Sequence, residues 1–60
     1  MTKIEDKRPT QNGKYYVKTV SRFRSGEEPL YFKALYYMGV WTRPTDIDRE
    51  IAAWELINET

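Results

Sequence analysis

Two stretches of strict alternation dominate the chain. In residues 14–24, Tyr15, Val17, Thr19, Ser21 and Phe23 fall on one side of an extended backbone. Lys14, Lys18, Arg22 and Arg24, with Tyr16 and Val20 between them, fall on the other. Side chains of a strand point to opposite faces in turn, so β-branched and aromatic residues at period two predict a strand with one wet face. In residues 30–38 the alternation resumes. Leu30, Phe32, Ala34, Tyr36 and Met38 share one face, and Tyr31, Lys33, Leu35 and Tyr37 the other. Between these runs, Ser25-Gly26-Glu27-Glu28-Pro29 reads as a loop, and Gln11-Asn12-Gly13 as a turn ahead of the first.

Met38-Gly39 predicts a tight two-residue turn into Val40-Trp41-Thr42. That loop length sets Tyr37 opposite Val40 and Tyr36 opposite Trp41, which keeps the aromatic core on one side. After Pro44 the pattern divides. Thr45 and Asp48 resemble a capping box, Asp46, Asp48 and Glu50 suit a helix start, and Ile47, Ile51 and Trp54 fall at i, i+4 and i+7. The same stretch can be read as a closing strand over 51–57, with Trp54 and Leu56 on one face. Local chemistry alone favours the helix.

Composition narrows the class. Sixty residues are one small domain, and such a domain buries only about 60% of the surface its unfolded chain exposes. Without Cys or His, disulfides are excluded and a zinc site is disfavoured. Stability must then come from nine aromatic residues or from self-association, which leaves a homodimer open. No apolar run reaches the length of a membrane span and no signal-peptide pattern opens the chain, so a cytoplasmic setting without membrane contact is expected. The net charge of +1 conceals an asymmetry. Residues 1–43 carry nine Lys/Arg against four Asp/Glu, and residues 44–60 one Arg against five acids.

The series Lys7-Arg8-Pro9, Gly13-Lys14-Tyr15-Tyr16-Val17, Ala34-Leu35-Tyr36, Gly39-Val40-Trp41 and Ile51-Ala52-Ala53-Trp54-Glu55-Leu56 resembles a family of short phage and prophage proteins, a domain of unknown function. Its pattern runs Arg-Leu-Pro, Gly with a short strand, Ala-x-Tyr-x-x-Gly-x-Trp, and a closing Ile-x-x-Trp-x-Pro-Leu. The resemblance spans roughly residues 4–57. It implies a small antiparallel sheet, a strand around Trp54, a phage or prophage origin in a bacterial host, and no known activity.

The candidate chemistry is that of binding. Catalysis near neutral pH generally uses a tuned His, a thiolate, an activated hydroxyl or a metal, and this chain has no His or Cys and only two Ser. An enzyme is not expected, and neither is a catalytic, metal or cofactor site. The acids Asp46, Asp48, Glu50, Glu55 and Glu59 lack the spacing and glycine of a calcium loop. Five Tyr and two Trp exceed what one buried sheet face can hold, and such residues dominate interface hot spots. Tyr16, Tyr31, Leu35 and Tyr37 form the expected protein-binding patch. The alternative is a single-stranded nucleic-acid binder in which Lys14, Lys18, Arg22, Arg24 and Lys33 meet phosphates and Tyr16 stacks on bases.

The sequence thus predicts a mainly β domain over residues 1–60, an antiparallel meander of three or four strands, with a short helix or helical turn near 45–50 kept in play. Residues 1–8 and 58–60 are expected to be loosely ordered. Tyr15, Val17, Phe32, Ala34, Tyr36, Trp41, Trp54 and Leu56 form the expected core. The expected function is that of a non-enzymatic phage-type accessory protein that binds a host or phage protein, as an inhibitor of host defence, replication or transcription.

Overall fold

The structure, a computed structural model, describes residues 1–57, and the expected loose end at 58–60 lies outside the described residues. Five strands, β1 (Thr2–Lys3), β2 (Gly13–Ser21), β3 (Leu30–Tyr37), β4 (Val40–Trp41) and β5 (Arg49–Leu56), form one antiparallel sheet in the order β1-β5-β2-β3-β4. The domain is mainly β, as its alternation predicts. The topology is not a meander, however. β5 leaves the β4 edge and returns beside β2, which makes β2 to β5 a Greek key. The added strand is β1, whose two residues pair with Ala53 and Trp54 and are too few to produce a visible alternation.

The hairpin register is the expected one, with Tyr36 opposite Trp41 and Tyr37 opposite Val40. Met38 and Gly39 both adopt positive φ, 53° and 81°, the backbone twist that a two-residue hairpin turn requires. Thr42 extends the pairing: its N–H donates to the Leu35 carbonyl, and its hydroxyl accepts from the Leu35 N–H at 2.9 Å.

Two expectations about strand ends are corrected. β2 stops at Ser21 instead of running to Arg24, because the Ser21 hydroxyl accepts the N–H groups of Phe23 and Arg24 and bends the chain away. Phe23 is left 76% exposed. No helix occurs among the described residues; near 45–50 there is one turn, closed by the Arg49 N–H on the Asp46 carbonyl at 3.3 Å. Ile47, which a helix would have buried, is 87% exposed.

The helical spacing in this segment has a different origin. β5 faces Lys18 with Ala53 and Thr19 with Ile51, so Ala52 is an extra, bulged residue. The bulge brings Ile51 and Trp54, three apart, to the same face of a strand. Its carbonyl is used as well, accepting the Ile4 N–H at 2.9 Å.

Tyr15, Val17 and Ala34 are buried at the centre of the core, with Phe32, Tyr36, Trp41, Ile51, Trp54 and Leu56 packed around them. The Tyr15 ring meets Tyr36, Trp41 and Trp54 edge-on, at centroid distances of 6.1, 5.5 and 5.4 Å. Such edge-to-face pairs add about 0.5–1.5 kcal/mol each beyond buried area. With no second sheet among the described elements, two loops cover this core face. The start of the chain is one of them, and it makes side-chain contacts to the sheet. The Trp54 indole donates to the Lys7 carbonyl at 2.8 Å, the Tyr15 hydroxyl to the Gln11 carbonyl at 2.6 Å, and Pro9 is buried. The Asn12 side chain then accepts the Met38 N–H, joining this arm to the hairpin. The other cover is the crossover of residues 42–48, where Arg43 lies over the Phe32 ring at 5.6 Å.

At the far end of the core face a charge is buried. Arg49, 9% exposed, donates from Nε to the Thr19 hydroxyl at 3.1 Å and from Nη2 to the Thr19 carbonyl at 3.2 Å. Fully buried Thr19 in turn donates to the Leu30 carbonyl, so the network is satisfied throughout.

Candidate functional site

Among the described residues, no element covers the opposite face of the sheet. On it the registers Lys14–Leu35, Tyr16–Lys33 and Lys18–Tyr31 place basic and apolar side chains in a checkerboard across β2 and β3. Directly opposed residues lie about 5 Å apart at Cβ and diagonal ones about 7–8 Å, and Tyr16 and Tyr31 occupy diagonal positions. Tyr37 and Val40 close the row at the hairpin. β5 contributes Ala53 opposite Lys18, and two acids, Glu55 opposite Tyr16 and Glu50 opposite Val20.

All four residues expected to form a protein-binding patch, Tyr16, Tyr31, Leu35 and Tyr37, share this face and are exposed. The alternation alone was enough to find them. Sequence reasoning missed Val40, 65% exposed beside Tyr37, because it was counted only as a turn flank. It also missed a hollow of about 300 Å³ bounded by Lys14, Lys33, Leu35 and Thr42. Strand pairing that continues through Thr42 creates this hollow, and no single run of residues signals it.

The nucleic-acid set is divided by the structure. Lys14, Tyr16, Lys18 and Lys33 do share the open face. Arg22 and Arg24 do not, because β2 ends before them. Arg24 lies in the following loop, paired with Glu27 at 3.2 Å, and Arg22 lines a cleft with Trp41, Arg49 and Ile51 on the core side. The basic stripe read from residues 14–24 is therefore shorter by two charges.

No helix among the described residues is long and apolar enough to cross a membrane. No family model matches the chain, and no curated protein or solved structure is significantly similar to it.

Proposed function

We propose that this chain is a non-catalytic accessory protein of phage type that binds another protein through the open sheet face, as an inhibitor in the cytoplasm of a bacterial host. One observation carries the reading. Leu35, Tyr37 and Val40 adjoin as an exposed apolar patch on paired strands, with Tyr31 beyond Lys33 on the same face, beside a hollow large enough for an anchoring side chain. Patches of this kind on small domains mark interaction surfaces, and rings held on a rigid sheet lose little entropy on binding. Leu35 and Val40 favour a protein over a nucleic acid, since aliphatic side chains provide neither base stacking nor phosphate contacts. Lys18 and Lys33 beside the patch select a partner with an acidic rim.

The second reading, a single-stranded nucleic acid, is supported by the diagonal of Tyr16 and Tyr31 with Lys33 and Lys18 opposite them. The two readings differ in salt response. Affinity capture from bacterial lysate, with and without nuclease and in low and high salt, separates them. A stoichiometric protein retained through nuclease and high salt supports the proposal. Capture that disappears with nuclease, or falls steeply with salt, moves the function to nucleic acid.

A further inference from the structure

The core side of the sheet carries a second, unrelated feature. Arg8 of the arm, Arg22 after β2, Arg43 of the crossover and Arg49 of β5 are scattered over the sequence but line a single cleft of about 520 Å³. Only two carboxylate residues, Asp46 and Glu50, share its walls, so positive charge is in excess. Of the four arginines, Arg49 alone is neutralised from outside the cleft among the described residues, by Glu27. Among the described residues, Arg8, Arg22 and Arg43 form no ion pair, and Glu27, which pairs with Arg24 and approaches Arg49 Nη1 at 3.7 Å, is not part of the cleft.

Two of the guanidinium groups are held in place before any ligand arrives. Two hydrogen bonds to Thr19 fix Arg49, and the Phe32 ring supports Arg43. Thr19 and Glu27 occupy Arg49 Nε, Nη2 and Nη1, so Arg49 supplies fixed positive charge, while the forks of Arg43 and of exposed Arg8 and Arg22 can meet phosphate oxygens in pairs. Trp41 supplies an indole to the same wall, and the volume lies in the range of small-ligand sites. We infer that this cleft binds a nucleoside phosphate, with its phosphates on the arginines and its base against Trp41.

The test titrates the protein at low salt with ADP, adenosine, pyrophosphate and a short oligothymidylate, following tryptophan fluorescence and amide shifts. ADP should bind saturably and perturb Trp41, pyrophosphate more weakly, and adenosine at least about tenfold more weakly than ADP. Arg8 and Arg22 are exposed, so the double variant Arg8→Gln/Arg22→Gln should keep its fold and lose about tenfold or more in affinity. The open-face variant Lys18→Glu/Lys33→Glu should bind ADP as the parent does. Tighter binding of the oligonucleotide than of ADP supports the site and assigns its ligand to a strand, and the reverse order supports it with a free nucleotide. Three results would overturn the inference: no saturable binding, binding unchanged in the arginine variant, or binding lost in the open-face variant.

Discussion

Met38 is the one non-glycine residue at positive φ among the described residues, and its position at the first place of the hairpin turn explains why it is tolerated. A left-handed conformation costs an ordinary L-residue about 1–2 kcal/mol, and Asn, whose short side chain hydrogen-bonds locally, much less. Met38→Asn would create the Asn-Gly pair that such turns prefer, and it keeps the N–H that Asn12 accepts. Urea unfolding should show this variant about 1 kcal/mol more stable than the parent. Thr19 is the contrasting case. Thr19→Val preserves shape but removes the oxygen that accepts from Arg49 and donates to Leu30, and it should cost about 1–3 kcal/mol. In the double variant Thr19→Val/Arg49→Met the Nε–H left without its hydroxyl partner is gone, so the combined loss should be smaller than the sum of the two single losses.

Among the elements, β5 is the one whose faces are set by a bulge. Without the bulge at Ala52, Arg49 and Ile51 would turn to the open face and leave Thr19 and the core end without their cover. Deleting Ala52 takes out the extra residue and keeps Ile51 opposite Thr19 and Arg49 opposite Ser21, so that variant should stay folded by circular dichroism and lose only the hydrogen bond from Ile4; an unfolded deletion variant would contradict the role given to the bulge. The same residue explains what could be read from the sequence. β2 and β3 obey strict period two, and the Met38-Gly39 turn has a length that fixes its register, so the central sheet, its hairpin and all eight expected core residues were legible. In β5, a bulge put apolar residues at a spacing of three, which is also a helical spacing, and Asp46 and Asp48 added helix-start chemistry to what is a single turn. The arm was not legible because its anchors are main-chain carbonyls of Lys7 and Gln11, which carry no residue-type signal. The open face was legible for the same reason as the core, since both follow from alternation. The arginine cleft was not, because it gathers four distant residues.

For the molecule as a whole, the core and the proposed protein-binding patch occupy opposite faces of the sheet. The core face rests on a small aromatic cluster centred on Tyr15 and covered by loops. Trp41→Ala or Trp54→Ala should cost about 3–5 kcal/mol. That is most of the stability of a domain near the lower end of the usual range, about 5 kcal/mol, so either variant should be largely unfolded at room temperature by thermal melt. The open face contributes little to this balance. Leu35→Ser/Tyr37→Ser should melt close to the parent, within about 1 kcal/mol, and should lose the partner. Self-association would use the same patch, and sedimentation of the two proteins would reveal it.

The most direct measurement compares three tagged proteins in parallel capture from bacterial lysate, after nuclease and at high salt: the parent, Leu35→Ser/Tyr37→Ser and Arg8→Gln/Arg22→Gln. One protein should be held in stoichiometric amount by the parent and by the arginine variant, and be absent from the Leu35/Tyr37 variant. Retention by the Leu35/Tyr37 variant, or no retained protein on the parent, would contradict the claim that the open sheet face is the binding surface.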